Sequence, residues 1–158
     1  MDVYRMPLMS GGFAFVDVGD RPALDGWRWS WTKNSRGYVS SRRCIGGGKQ
    51  IQVTLHRLLL DFPQSAIDHI NGNRLDNRRC NLRLCTNSQN QANREPMPHG
   101  SRFKGVTVQK KTGRFESQIW FQNKRIYLGT FEHEEEAAAA YDREAIARFG
   151  EFARLNFL

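Results

Sequence analysis

Apolar and polar residues alternate in several short stretches of the chain, which is the pattern of half-buried β-strands. In the N-terminal part this alternation covers Phe13-Ala14-Phe15-Val16 and the tryptophans Trp27, Trp29 and Trp31. Both segments predict strands with one covered face. For the tryptophans we favour packing against that face over stacking on nucleic-acid bases.

The middle of the chain combines short apolar runs with a loop rich in Asn, Asp, Gly and Arg, and such residues favour turns. The predicted elements are, in order, a strand at Ile51 to Leu55, a short helix at Arg57 to Leu60, turns at Asn71-Gly72-Asn73 and Asp76-Asn77, a strand at Asn81 to Leu84, and a polar helix that is capped by Thr86 or Ser88 and ends at Asn93.

The last third follows a segment with two prolines, which disfavours a continuous helix. We therefore divide the chain into residues 1–95, a linker at 96–100 and a separate unit at 101–158. A helix is predicted over residues 134–149, because Gly150 suits a left-handed C-cap. Before it, three strands are predicted at Phe103 to Gln109, Arg114 to Phe121 and Lys124 to Thr130, joined by hairpin turns at Lys111-Thr112-Gly113 and Gln122-Asn123.

Charge indicates a polyanionic partner. The chain of 158 residues has a formal net charge of +8 and a pI of about 9.9, and neutralising phosphates releases counterions and so favours binding. The predicted sheet region, 101–131, has seven Lys or Arg and one acid, a balance of +6, whereas 132–158 has three basic and seven acidic residues, a balance of −4. This split favours a sheet that docks on DNA with the helix behind it.

The remaining composition excludes several classes of protein. No apolar run reaches the length of about 20 residues that spans a bilayer, and the N-terminus does not resemble a signal peptide. The three cysteines, Cys44, Cys80 and Cys85, lack paired spacing, which argues against a disulfide framework and a structural zinc site. We expect reduced thiols and a cytoplasmic protein with no membrane partner.

Asp68 and His69 are the residues with the clearest chemical potential. A carboxylate can hold a hard cation, and an imidazole can accept the proton of an attacking water. Asn81 and Asn90 offer amide oxygens nearby in the sequence. Judged from the residues alone, the same pattern also fits Asx turns and helix capping, so this chemistry remains one of two alternatives.

A set of short motifs resembles the HNH homing-endonuclease family, in the branch found in bacteriophage and intron-encoded enzymes. The match spans about forty residues, and an Asn stands at the third motif position, where other branches have His. The matching segments are Leu55-His56-Arg57-Leu58, Ile67-Asp68-His69-Ile70-Asn71-Gly72, Leu75-Asp76-Asn77, Asn81-Leu82-Arg83 and Asn87-Ser88-Gln89-Asn90-Gln91-Ala92-Asn93.

This resemblance implies a ββα-metal core that holds one divalent ion, expected to be Mg²⁺ with Mn²⁺ as the alternative. It makes His69 the general base, and Asn81 the residue that holds the loop and orients the imidazole. Asp68 and Asn90 become the metal ligands. His56 and Arg57 receive a supporting or phosphate-contacting role.

The last unit resembles the plant ethylene-response-factor (Apetala-two) DNA-binding domain over nearly all of residues 101–158. In that family a three-stranded sheet lies in the major groove and one helix packs behind it. The matching segments are Phe103-Lys104-Gly105-Val106, Gly113-Arg114-Phe115, Arg125-Ile126-Tyr127-Leu128-Gly129-Thr130-Phe131, Glu135-Glu136-Ala137-Ala138-Ala139-Ala140-Tyr141-Asp142 and Gly150-Glu151-Phe152-Ala153-Arg154-Leu155-Asn156-Phe157.

The resemblance also predicts which residues face DNA. Thr107 and Gln109 stand near two positions that are Arg in the plant proteins, and Phe115 and Tyr127 stand at two Trp positions, so the plant target sequence does not carry over. The predicted DNA-facing residues are Lys104, Thr107, Gln109, Arg114, Gln118, Trp120, Arg125 and Tyr127.

Together these patterns predict an α+β protein. It combines a ββα-metal HNH nuclease core and a β-rich N-terminal region with a small three-stranded antiparallel sheet packed on one helix. We expect a metal-dependent endonuclease that nicks double-stranded DNA at or near a recognised site. It would act as a monomer or weak dimer without another protein partner, in the host-cell cytoplasm if phage-encoded. The alternative is a non-catalytic, sequence-specific DNA-binding regulator that retains the HNH fold, and an RNA-binding protein has no supporting motif.

Overall fold

The computed structural model describes residues 2–31, 37–95 and 101–157. It is a mixed α and β protein built from small antiparallel sheets, which confirms the predicted α+β class. The chain divides into two compact units, Met1–Cys85 and Thr86–Leu158. Within the described ranges, no helix is long and apolar enough to cross a membrane. The predicted linker at 96–100 lies outside the described residues.

The first unit contains three small antiparallel sheets with the strand orders β1-β2, β3-β4-β5 and β6-β7. Short 3₁₀ helices at Val18–Leu24 and Arg79–Asn81 connect some of the strands. The elements are β1 (Val3–Pro7), β2 (Phe13–Asp17), β3 (Ser30–Trp31), β4 (Val39–Cys44), β5 (Gln50–Thr54), α1 (Leu55–Leu59), β6 (Ala66–His69) and β7 (Leu82–Cys85).

One apolar core joins the elements of this unit. Val16, Val39 and Leu55 are almost completely buried in it. Trp29 belongs to the same core, and Trp27 packs against it, which agrees with the packing role predicted for the tryptophans. The strand predicted across the tryptophans is shorter than expected, because pairing with β4 includes only Ser30 and Trp31.

The second unit is a three-stranded antiparallel sheet, in the order β10-β9-β8, with a long helix packed on it. The helix occupies the predicted residues, and Gln122 and Asn123 form the predicted tight turn with left-handed backbones. The elements are α2 (Asn87–Ala92), β8 (Val106–Val108), β9 (Phe115–Phe121), β10 (Lys124–Phe131) and α3 (Glu134–Phe149).

Helix α2 begins at a capping box formed by Thr86 and Gln89, as the sequence predicted for Thr86. Its last residue, Ala92, is buried in an apolar cluster with Tyr141 and Phe149 of α3. The boundary between the units therefore falls before α2, about ten residues earlier than the predicted linker, because α2 packs within the second unit.

Candidate functional site

His69 is the last residue of β6 and is only 4% exposed. Its Nε2 lies 3.2 Å from Oδ1 of Asn77, and the Asn77 amide nitrogen donates to the Arg74 carbonyl oxygen at 3.1 Å. The second bond fixes the orientation of the amide, so Oδ1 is the acceptor for an Nε2–H group. The neutral ring then carries its lone pair on Nδ1, which is the atom that can accept a proton.

Asn81 holds the loop that carries Asn77. Its Oδ1 accepts from the backbone N–H of Asn71 at 3.0 Å, and its amide nitrogen donates to the side chain of Asn71 and to the carbonyl oxygen of Asp76. Asn81 is thus bonded to both ends of this loop, and the amide of Asn77 lies within hydrogen-bond distance of the imidazole. The sequence analysis placed Asn77 in a turn and in a segment that matches the HNH family, but gave it no role in the site.

The N-terminal hairpin supports the same loop from the other side. Phe15 of β2 exchanges two backbone hydrogen bonds of 2.7 Å with the loop, donating to Leu75 and accepting from Asn77. Arg79, just after the loop, donates its backbone N–H to the Asp17 carboxylate and its guanidinium N–H groups to the Asp20 carboxylate. The β-rich N-terminal region is therefore part of the scaffold that positions Asn77.

A cluster of rings surrounds His69 inside the first unit. His56 of α1 meets the His69 ring edge-on at 5.5 Å between centroids, and the Tyr38 ring lies 4.7 Å from His56 and 6.1 Å from His69. The Arg74 guanidinium sits 4.7 Å above the ring of Tyr38. Tyr38 and Arg74 were missed by the sequence analysis, since the fold alone brings them to the histidines.

Burial controls the charge of both histidines. Desolvation, followed by the charges of His69, Arg57 and Arg74, lowers the pKa of His56 to about 3. Burial also lowers the pKa of His69, while the Asn77 hydrogen bond and the charge of Asp68 act in the opposite direction. Both rings are therefore neutral near pH 7, which is the state required of a proton acceptor.

Asp68 is buried and is paired with Arg83, its direct cross-strand partner. Arg83 donates to Oδ2 of Asp68 from Nε at 3.0 Å and from Nη2 at 2.8 Å. One carboxylate with amide and water oxygens suits Mg²⁺, which usually takes only one or two protein carboxylates. Within the described ranges, no three His, Cys, Asp or Glu residues cluster as a metal site, and such a sparse donor set is compatible with this ion.

The other residues predicted for the nuclease site lie in separate elements. Asn90 is on α2, in the second unit, so its role as a metal ligand stays a prediction. Arg57 lies on α1 beside His56, and its guanidinium donates to the carbonyl oxygen of Pro63.

The sheet of the second unit has one face against α3 and one face away from it. In β9, Ser117 and Ile119 are buried beneath the helix, so the intervening side chains point outward. Register then assigns their cross-strand partners to the same outer face. Strand alternation and the β8–β9 turn place seven of the eight predicted DNA-facing residues there: Thr107, Gln109, Arg114, Gln118, Trp120, Arg125 and Tyr127.

Two aromatic rings on this face are unusually open to solvent, with Trp120 63% and Tyr127 59% exposed. Arg125 pairs with Glu116 on the same face, and Arg114 pairs with Glu132 at 2.7 Å. Gln118 Oε1 is buried but meets no hydrogen-bond donor among the described residues. The face thus combines cations, amides and exposed rings, a combination found at nucleic-acid interfaces.

Lys104 is the exception among the eight residues. Its backbone is tied to Asn156, and its ammonium group donates to the carbonyl oxygens of Ala92 and, at 2.7 Å, Arg94. These carbonyls belong to the C-terminal end of α2, where a cation is favoured by the helix dipole.

Comparisons with known proteins relate the first part of the chain to HNH endonucleases. Residues 62–92 match the HNH endonuclease family. An uncharacterized HNH endonuclease of Acanthamoeba polyphaga mimivirus is 30% identical over 150 residues, which cover 92% of this chain and 75% of the viral protein.

The second unit matches a different family. Residues 101–151 match the AP2 domain. APETALA2-like protein 2 of Oryza sativa subsp. indica is 47% identical over 64 residues, and an AP2-like ethylene-responsive transcription factor of Arabidopsis thaliana is 45% identical over 65 residues. The chain spans only about 15% and 13% of the length of these two plant proteins. The long viral match covers both segments, and the chain belongs to the HNH endonuclease family, in a form that carries an AP2 domain after the HNH segment.

Proposed function

We propose that the protein is a metal-dependent DNA endonuclease that nicks double-stranded DNA at or near a site recognised by its AP2 domain. The observation that carries this proposal is the buried His69 ring, whose Nε2–H is held by Asn77 so that Nδ1 is the basic atom. A histidine needed only for packing would not require an oriented, neutral imidazole beside a carboxylate in the family's motif position.

In the proposed reaction, Nδ1 of His69 accepts a proton from a water molecule as its oxygen attacks a backbone phosphorus atom. The phosphorus–oxygen bond to the leaving sugar breaks, and the leaving oxygen is protonated by solvent. Asn77 keeps the ring in the required tautomer and stabilises the imidazolium that forms. Asn81 contributes indirectly, because it holds the loop on which Asn77 sits.

Asp68 is the ligand that the first unit would supply to a divalent cation, expected to be Mg²⁺ with Mn²⁺ as the alternative, and Asn90 remains the second predicted ligand. When bound, such an ion supplies stabilisation of the charge on the phosphate and on the leaving oxygen. Arg83 would keep the Asp68 carboxylate in place through its two bonds to Oδ2.

Recognition is assigned to the outer face of the AP2 sheet. Arg114, Arg125 and Gln118 have the donors and acceptors that distinguish base edges in the major groove. Glu116 orients Arg125 through their ion pair. The exposed rings of Trp120 and Tyr127 add apolar contact.

A single nuclease site on a monomer cuts one strand in each binding event, so we expect nicked rather than linear product unless the protein dimerises. We expect this activity in the cytoplasm, which would be that of the host cell if the protein is phage-encoded. The second candidate is a DNA-binding regulator without cleavage, in which Asp68, His69, Asn81 and Asn90 would be structural only. The intact set of all four residues favours the nuclease.

Supercoiled plasmid distinguishes the two candidates. The wild-type protein should convert it to the open-circular form with Mg²⁺ or Mn²⁺ but not with a chelator, and His69→Ala should lose this activity. His133→Ala is the matched control, since His133 is exposed, precedes α3 and makes no capping bond. If wild type and His69→Ala both bind DNA and neither cuts a varied set of plasmids, the regulator is correct.

A further inference from the structure

Most of the net positive charge lies outside the AP2 domain. Residues 1–85 contain 13 Lys or Arg and 7 Asp or Glu, a balance of +6, whereas residues 86–158 contain 11 and 9, a balance of +2. Within the first unit the charge is concentrated further, because residues 26–60 contain seven Lys or Arg and no acid. The nuclease unit therefore has its own candidate surface for a polyanion.

The hairpin of β4 and β5 presents much of this charge. Residues 42–52 are all exposed, and the hairpin ends in three consecutive glycines, 46–48, with nothing packed around them. Arg42, Arg43 and Lys49 form no ion pair with any residue in the described ranges. The other cations of this unit that lie near its acids, such as Arg79 and Arg83, are already paired.

The two faces of this hairpin differ. Register puts Arg42 opposite Gln52, and Cys44 opposite Gln50, on one polar face. The other face contains the buried pair Ser41 and Val53 and continues to Arg43, whose guanidinium lies 5.8 Å from the ring of Trp27. The face with Ser41, Val53 and Arg43 is thus directed toward the core and Trp27. The polar face with Arg42 is available to a partner.

The polar face continues toward the histidine cluster. Tyr38, which contacts both histidine rings, immediately precedes β4 and stands two residues before Ser40. On β5, Thr54 is opposite Ser40 and its hydroxyl lies 3.5 Å from Nε2 of His56. A DNA backbone that brings a phosphate to His69 would therefore extend along this face.

We propose that the β4–β5 hairpin enters the DNA major groove, with Arg42 at a backbone phosphate and with Gln50 and Gln52 directed toward the base edges. Two-stranded β-ribbons fit the major groove, where Gln recognises adenine, and each phosphate that an Arg neutralises adds to the salt dependence of binding. The inference rests on the proposed function for its substrate, double-stranded DNA. It gives the nuclease unit a sequence-dependent contact of its own beside the cut site, in addition to the AP2 sheet.

Arg42→Gln and Arg43→Gln provide a matched pair, because they remove the same charge from adjacent residues on opposite faces. Each full-length variant is titrated against a pool of short random-sequence duplexes without divalent metal, at several salt concentrations. Arg42→Gln should reduce the slope of log K against log salt by about 0.9, which corresponds to about fivefold weaker binding at roughly 0.15 M salt. Arg43→Gln should leave the slope unchanged.

The second measurement is sequence selection from the same pool with wild type and with Gln50→Ala/Gln52→Ala. The wild type should select two blocks of preferred bases, and the variant should lose one block and retain the other. Equal salt slopes for Arg42→Gln and Arg43→Gln, or unchanged selection by the double variant, would overturn the hairpin proposal.

Plasmid nicking by the same preparations separates this proposal from the proposed function. Wild-type nicking together with equal salt slopes refutes the hairpin contact and leaves the nuclease intact. Absence of nicking together with a lower slope for Arg42→Gln supports the hairpin contact and refutes the nuclease. Thermal unfolding of each variant confirms that the folded state is being compared.

Discussion

Gly105 and Gly113 have the same left-handed backbone but very different surroundings. Gly105 has a φ of +77°, and a Cβ there would lie 1.9 Å from Cδ2 of the buried Tyr141 ring. Gly113 has a φ of +70°, and a Cβ there would have nothing within 4 Å. Alanine at each position therefore separates backbone strain from steric exclusion.

The expected free energies follow from these two contributions. A left-handed backbone costs an L-residue about 1–2 kcal/mol, which applies to both variants. Overpacking a well-packed interior costs about 1–3 kcal/mol more, and only Gly105→Ala incurs it. Gly105→Ala should then lower the free energy of unfolding by about 2–5 kcal/mol, and Gly113→Ala by about 1–2 kcal/mol.

Urea unfolding followed by circular dichroism at a helix band measures this difference, because α3 is the longest helix and lies in the same unit as both glycines. Gly105→Ala should also weaken DNA binding, since the Gly105 carbonyl oxygen accepts from the backbone N–H of Gln118. Equal destabilisation by the two substitutions would refute the argument, because it would mean that the Tyr141 ring does not require this close approach.

Three further predictions concern Asn77, His56 and Lys104. Asn77→Ala removes two hydrogen bonds of a buried side chain, so it should lower the unfolding free energy by about 2 kcal/mol and slow single-turnover nicking by about 10- to 100-fold. Unchanged nicking would contradict the orienting role. His56 has its pKa depressed from 6.5 to about 3 in the folded state, so the unfolded chain takes up the proton first and stability is lost as pH falls below 6.5. The loss should approach about 1.4 kcal/mol per pH unit, and denaturation of His56→Asn at pH 7 and 5 should show a smaller loss than wild type; an equal loss would exclude His56 as its source. Lys104→Met removes a cation from the end of α2 and should lower stability by about 1 kcal/mol without changing the salt slope of DNA binding; a lower slope with unchanged stability would instead assign Lys104 to a phosphate.

Local signals predicted the second unit well. The acidic first turn and Gly150 define α3, and the structure has the helix at the predicted residues Glu134–Phe149. The charge difference between sheet and helix depends only on composition, so it too was visible in the sequence. The strands were predicted slightly too long at β8, where pairing is confined to Val106–Val108.

The nuclease site was only partly predictable, because its supporting contacts join distant segments. The motif match pointed to Asp68 and His69. The side chain that bonds the imidazole is Asn77, however, and it lies on a loop that pairs with Phe15 of β2. No local sequence pattern predicts that pairing. Tyr38 likewise lies far from both histidines in sequence, and only the β4–β5–α1 arrangement brings it to them.

The packing of α2 has a consequence for the exchange of targeting modules between related enzymes. A chimera joined at residues 96–100 would keep α2 but separate it from the Lys104, Tyr141 and Phe149 side chains that hold its end. A junction just before Thr86 would transfer the capping box, α2 and the residues that pack against α2 together. Recombination that swaps DNA specificity in this architecture should therefore carry the HNH segment of α2 along with the AP2 domain.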